Sequence, residues 1–476
     1  MNNAVTFRNV SFAYTGGKPV IENTGFELNY GEIALLAGAS GEGKSTVLSL
    51  TAGIIPNLTP GELSGEILIN GKSIAGRPLR EICREVGVVL QNADSQIIQQ
   101  SVEDEIAFGC ENFNFDPEAI KEQIAYSCNI MSLEPQWKTR TLSGGQKQRL
   151  ITACALATKQ KILLLDEPLA NLDTAGADLL MRSLKELAAD GYAVLIIEHR
   201  ADAVMKYADR VWIISDKKIS PVYDTEDYMK SRAEIITDIC NASTSDEVLF
   251  SLENVSYKAG GRQIINNLNL EIKKGERLLI LGENGCGKTT LMRLLASLSK
   301  PTDGEINQNI LPGLKKSKTN KEWFRKVGVV YQNPNYQLFM PTVRDEIHYN
   351  AFSPEYADEM IKLFGFESLT ERHPQSLSEG QKRRLTIAAV LAGRPDVLLL
   401  DEPTVGQDYD GLRKMTDLLN RIHTETGNTM IAVTHDKRCA EALCDRSVIL
   451  EDGRVSQTGG KELANKFLFN YRNRKD

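Results

Sequence analysis

Runs in which every position is apolar alternate along this chain with stretches whose apolar residues recur at helical spacing. Ala34-Leu35-Leu36-Ala37, Ile162-Leu163-Leu164-Leu165 and Ala193-Val194-Leu195-Ile196-Ile197 have no polar face. That is the pattern of strands covered on both sides of a parallel sheet. Helical stretches after Ser45 and after Gln146 provide the crossovers that parallel strands need. Val5 to Phe12 and Gly65 to Asn70 instead alternate apolar with polar residues, which predicts a smaller antiparallel layer. The fold class expected is therefore α/β, with a mostly parallel sheet flanked by helices.

The pattern occurs twice. Residues 1–235 laid over residues 248–476 reproduce the same landmarks in the same order. Asn9-Val10-Ser11 matches Asn254-Val255-Ser256, and Val86-Gly87-Val88-Val89 matches Val327-Gly328-Val329-Val330. A period this long means duplicated domains and not a solenoid of short repeats. Two domains, 1–235 and 248–476, are expected, joined by a polar linker at 236–247 that includes Asn241-Ala242-Ser243-Thr244-Ser245-Asp246-Glu247.

Bulk properties fit this division. The 476 residues exceed one ordinary core, and 42% hydrophobic with 25% charged residues is a globular composition. No run approaches the about eighteen apolar residues of a membrane span. The N-terminal Met1-Asn2-Asn3-Ala4-Val5 does not read as a secretory signal, and the eight cysteines show no CxxC pair. The chain is therefore expected inside the cell with reduced thiols. A formal net charge of −7 argues against a nucleic-acid partner, which calls for a basic face.

The chemistry is that of phosphate. The spacing G-x-x-x-x-G-K-[ST] occurs at Gly38-Ala39-Ser40-Gly41-Glu42-Gly43-Lys44-Ser45, followed by Thr46. It recurs at Gly282-Glu283-Asn284-Gly285-Cys286-Gly287-Lys288-Thr289, followed by Thr290. Each copy follows an apolar strand and opens a helix. The glycines let backbone N–H groups curl around phosphates, Lys44 and Lys288 reach the β- and γ-phosphates, and Ser45 and Thr289 can ligate Mg²⁺. Asp166 and Asp401 end apolar strands and are placed to hold the same metal. Glu167 and Glu402 follow them directly, well placed to take a proton from attacking water. Gln91 and Gln332 suit the orientation of water and the binding of Mg²⁺, though alone each would be an ordinary loop residue. His199 and His435 stand at equivalent strand ends, within reach of a γ-phosphate. Phosphoryl transfer needs mainly positioning and charge stabilisation, which such a set supplies.

At Leu142-Ser143-Gly144-Gly145-Gln146 and Leu377-Ser378-Glu379-Gly380-Gln381 the chain resembles the ATP-binding cassette (ABC) family. The resemblance covers nearly the whole sequence, with Asn171-Leu172-Asp173 and Gly406-Gln407-Asp408 similar to D-loops. It implies two P-loop cassettes, each with a helical subdomain, that bind ATP and Mg²⁺ and hydrolyse ATP. It also implies that the cassettes pair within the chain, so that Lys44 shares a nucleotide with Ser378, and Lys288 with Ser143. Tyr14 is then the candidate for stacking on adenine. Tyr257 aligns with Phe12, not with Tyr14.

Gln332-Asn333-Pro334-Asn335-Tyr336-Gln337-Leu338-Phe339 and the following Asp345-Glu346-Ile347 are similar to the ATPases of energy-coupling factor transporters. The first half departs from that pattern, with Ile97-Ile98-Gln99-Gln100 in the corresponding stretch. This resemblance implies an importer of a vitamin or of cobalt or nickel. The expected partners are a transmembrane energising subunit and a substrate-capturing membrane subunit, at the cytoplasmic face of the cell membrane. Glu103, Asp104, Glu105, Asp345 and Glu346 suit either of two roles: receiving basic helices of that partner, or favouring a helix start. The alternative is a soluble tandem-cassette ATPase acting on ribosomes, nucleic acid or protein complexes. It is disfavoured by the absence of a long charged insertion or zinc ligands. Glu379 replaces the usual signature glycine and adds negative charge beside a phosphate. Cys286 lies near Lys288 and a helix N-terminus, which could lower its thiol pKa, but the reading preferred for it is an unreactive small filler.

Overall fold

The computed structural model describes residues 3–230 and 245–473, apart from 40, 92, 170, 171, 173, 199, 200, 284, 312–320, 405, 406 and 408. The chain divides into two compact units, Met1–Arg232 and Ala233–Asp476.

In the first unit a six-stranded sheet runs in the order Lys218–Pro221, Arg210–Ser215, Ile33–Gly38, Ala193–Ile197, Ile162–Asp166, Val86–Val89. All neighbours are parallel except the edge hairpin Arg210–Ser215/Lys218–Pro221. Every residue of Ile33–Gly38, Ile162–Asp166 and Ala193–Ile197 is buried, as their unbroken apolar runs require. Successive side chains serve opposite faces. Ala34 and Leu36 pack with Phe7, Phe12 and Phe26 of the antiparallel layer, whereas Ile33 and Leu35 pack with Leu150 and Leu180 on the helical side. That second sheet has the order Pro19–Asn29, Asn3–Tyr14, Gly61–Ile69, Lys72–Ser73. Three helices, Val102–Asn112, Pro117–Met131 and Gly144–Ala157, pack on one another as a helical subdomain. The caps Ser101, Asp116 and Ser143 start them.

The second unit repeats the plan. Its sheet order is Val327–Val330, Val397–Asp401, Thr429–Val433, Arg277–Gly282, Arg446–Glu451, Arg454–Gly459. Its antiparallel layer is Arg262–Lys273, Val248–Ala259, Asp303–Gln308. Residues 245 and 247, expected within the linker, exchange backbone hydrogen bonds with Lys274. Residues 236–244 of that linker lie outside the described residues. Tyr257 faces Ile265 across the strand pair as Phe12 faces Ile21, so the register puts Tyr257 in the place of Phe12 and Ala259 in that of Tyr14. No helix among the described residues is long and apolar enough to cross a membrane.

Candidate functional site

Each P-loop joins the end of a buried central strand to a helix, Lys44–Thr51 or Lys288–Leu295. The loop is shaped by positions that only glycine fills without strain. Gly38 has φ 154°, and a Cβ there would lie 2.6 Å from the Ile214 carbonyl oxygen. Gly43 caps the helix at φ 100° with Val20 pressed against it. Inside each loop the lysine turns back on its own backbone. Lys44 Nζ donates to the carbonyls of Gly38 and Ala39, both at 2.9 Å. Lys288 Nζ donates to those of Gly282 at 2.8 Å and Glu283 at 2.9 Å. Both ammonium groups are buried and preset toward the space the loop encircles. Ser40 and Asn284 lie outside the described residues.

Behind the second loop, Thr289 Oγ1 donates to Asp401 Oδ2 at 3.0 Å. Burial, then the neighbouring Glu402, pushes the Asp401 carboxyl up to about 6, against the pull of Thr289, Lys288 and Arg383. Such a carboxylate is short of positive charge, and with the threonine hydroxyl it offers two hard oxygen donors. Asp166 occupies the same place at the end of its strand, buried.

The next residue in each unit adopts a left-handed backbone, φ 48° at Glu167 and φ 52° at Glu402. Such a conformation costs a non-glycine residue about 1–3 kcal/mol and persists where surrounding contacts enforce it. Here the enforcing bonds are Glu167 N–H to Ile197 O at 2.8 Å and Glu402 N–H to Val433 O at 2.9 Å. The twist carries each carboxylate out of the strand line. Glu167 Oε2 accepts from Gln91 Nε2 at 2.7 Å. Glu402 accepts from the His435 N–H at 3.3 Å, with the His435 ring 3.5 Å from its other oxygen. His199 lies outside the described residues. Gln91 and Glu167, and His435 and Glu402, are thus brought together.

The signature serines are helix caps. Ser143 and Ser378 each accept from the backbone N–H of the glutamine three residues on, whose side chain answers to the serine N–H. Gln146 and Gln381 therefore close capping boxes, a role for which the S-x-x-Q spacing is the sequence signal. Glu379 meets Lys382 at 2.9 Å, so the added negative charge is paired inside its own helix. In the first unit the corresponding Lys147 pairs with Asp94.

Burial outweighs Lys288 at Cys286 and pushes its thiol up, which suits an unreactive small filler. Tyr14, about two-fifths exposed at 39%, has its hydroxyl 3.0 Å from Thr46 Oγ1 and its ring edge-on to Phe12; Ala259 provides no such ring in the second unit. Glu105 and Glu346 are buried and face inward. Glu105 accepts from Ile98 N–H at 2.9 Å and Gln99 N–H at 2.6 Å; Glu346 accepts from Phe339 N–H at 2.9 Å and Met340 N–H at 2.8 Å. They tether the segment after Gln91 or Gln332 and are not open to a partner, whereas Glu103, Asp104 and Asp345 stay exposed. Gln96 and Gln337 pin the same segment by bonding the N–H of Leu90 and of Tyr331, at 2.8 and 2.9 Å.

Beside Gln332 the second unit opens a groove of about 270 Å³ lined by Phe324, Tyr331, Phe339, Tyr349 and Val390. Phe339 and Tyr349, 66% and 65% exposed, stack edge-on at 5.5 Å on its rim.

Comparison with known proteins agrees with this geometry. The ABC transporter domain family matches residues 21–170 and 265–405. A putative HMP/thiamine import ATP-binding protein of Bacillus subtilis is 33% identical over 96% of this chain and 91% of its own length. A putative ABC transporter ATP-binding protein of Methanosarcina mazei is 31% identical over 96% of this chain and 88% of its own. Among solved structures, an archaeal ribosome recycling factor in complex with a ribosomal stalk protein covers 98% of this chain and 92% of its own. Its TM-score is 0.67 at 22% identity, a likeness of fold alone.

Proposed function

The chain belongs to the ABC transporter family and is an ATPase that uses ATP with Mg²⁺; from that premise we propose that it energises a membrane importer of the energy-coupling factor type, taking up a vitamin or a transition metal. The observation that carries this reading is the aromatic groove beside Gln332. Exposed Phe339 and Tyr349 form an apolar surface that touches the same loop as the nucleotide site. Such a surface fits an amphipathic helix of a transmembrane subunit, with Asp345 exposed nearby for its basic residues. The relative named for HMP/thiamine import supports the same class. In this reading the chain works at the cytoplasmic face of the cell membrane, beside a transmembrane energising subunit and a substrate-capturing subunit.

The site residues take the following roles. The loop N–H groups with Lys44 and Lys288 hold the β- and γ-phosphates. Ser45 with Asp166, and Thr289 with Asp401, hold Mg²⁺ together with Gln91 and Gln332. The threonine–carboxylate pair of the second unit fits that ion because it is oxygen-only and under-compensated in charge. The metal neutralises phosphate charge when bound. Glu167 and Glu402 orient and deprotonate water, and His199 and His435 stand beside the γ-phosphate.

The test is reconstitution with the transmembrane subunit recovered on the tagged chain from detergent-solubilised membranes. Phe339→Asp is expected to abolish that recovery and the stimulation of ATPase by the membrane subunit, while ATP binding persists. Recovery of the same membrane protein by the Phe339→Asp chain would overturn the docking face. Recovery of ribosomal proteins in its place would favour the soluble alternative.

A further inference from the structure

Arg383 is an almost fully buried cation, 3% exposed, on the helix that follows the second signature. Its guanidinium donates to the carbonyl of Tyr331 at 2.6 Å and to that of Gln332. Its Nε has no hydrogen-bond partner among the described residues. The group thus spends its fork on two successive carbonyls of the loop that carries Gln332. Burial pushes its pKa down to about 10, so it stays charged at neutral pH, facing Glu402 and Asp401. A buried charge is costly unless its partners compensate for the lost water. Here the visible partners are neutral backbone oxygens and, further off, the carboxylates of the nucleotide site.

The first unit handles the same position differently. Position 383 is five past Ser378, and position 148 is five past Ser143, where the residue is Gln148. Gln148 is as buried, at 2%, and its Nε2 has no partner among the described residues. The Gln91 side chain is instead held directly by Glu167.

We propose that Arg383 is a positioning residue for magnesium in the second unit: by gripping the Tyr331 and Gln332 carbonyls it sets where the Gln332 amide meets the ion. Gln148 gives the first unit no such grip, so the two nucleotide sites differ in how firmly they hold metal. Replacement of an outer partner of this kind typically weakens metal affinity 10–100-fold.

The inference rests on Gln332 being a magnesium residue, and the experiment separates the two. Binding of a fluorescent non-hydrolysable ATP analogue is measured on the full chain carrying Lys44→Ala, so that the second P-loop is read, first in EDTA and then across a Mg²⁺ titration. Arg383→Gln is expected to raise the Mg²⁺ concentration at half-effect roughly tenfold or more, with metal-free affinity unchanged within about twofold. Arg383→Lys, which keeps the charge but loses the fork, should shift it in the same direction by less. Equal losses with and without Mg²⁺, or no loss, would overturn the role of Arg383. If Gln332→Ala leaves the Mg²⁺ dependence intact, the assignment of Gln332 fails first. If Arg383→Gln does not fold by circular dichroism, the lysine variant decides.

Discussion

The His435 ring lies 3.5 Å from one oxygen of Glu402 while its backbone N–H donates to the other at 3.3 Å. The carboxylate after one strand is thereby fixed beside the histidine after the next, on a backbone that glutamate rarely adopts. Such strain at a strand end is what carries a base off the line of the strand.

Glu402→Gln is expected to slow phosphate release by a factor of about 10²–10⁴, the usual contribution of a general base. Glu167→Gln should do the same to turnover at its own site, and ATP affinity should change little in either. Phosphate-release kinetics beside equilibrium nucleotide binding separate these effects. Turnover at the parent rate in the double variant would remove both residues from the chemistry.

Asp401 gives a pH dependence whose sign is opposite to that of most carboxylates. Its folded pKa is raised to about 6, so the folded chain binds the proton more tightly than the unfolded one. The stabilisation is complete below the unfolded carboxyl range near ~4 and is lost as pH rises through about 6. Without metal or nucleotide, Asp401→Asn should therefore be more stable than the parent at pH 7, by up to about 3 kcal/mol, and the gap should close toward pH 4.5. Mg²⁺ with ATP should reverse the order at pH 7. Urea unfolding at the two pH values reads this directly; a gap independent of pH would show that the carboxyl is not strained.

Glu346→Ala removes a buried acceptor from two backbone N–H groups and should destabilise the chain by roughly 2 kcal/mol. Glu103→Ala, at an exposed position, should cost almost nothing. Chemical denaturation of the two variants distinguishes the inward acid from the outward one.

Cys286 should react slowly with an alkylating reagent at pH 7 and faster as pH climbs past 9, because burial holds its thiol protonated. ATP should protect it, since it lies inside the phosphate loop. Rapid labelling at neutral pH, unaffected by ATP, would contradict both points.

Much of this molecule is legible without coordinates. Unbroken apolar runs become buried parallel strands because both faces of such a strand are covered. The P-loops declare themselves because a phosphate cradle made of backbone N–H groups needs glycine at fixed spacing, and a repeat in register makes chance an unsatisfactory account. The strand register that sets Tyr257 opposite Ile265 likewise follows from its alignment with Phe12. What sequence could not decide is which way polar side chains turn. Glu103, Asp104 and Glu105 stand in one run of acids, yet only Glu105 turns inward to hold backbone N–H groups, because helical geometry points neighbours in different directions. Glu379 looks like an unpaired charge until Lys382, one turn along, is seen to meet it. Cys286 sits near a lysine and a helix end, but desolvation, which depends on everything packed around the sulfur, outweighs both. Arg383 reads as one more basic residue after a signature, and its grip on the Tyr331 carbonyl arises only when the sheet brings two segments together that lie far apart in the chain. Residue type and spacing determine what chemistry is on offer; burial and direction, set by the packed whole, decide which groups deliver it.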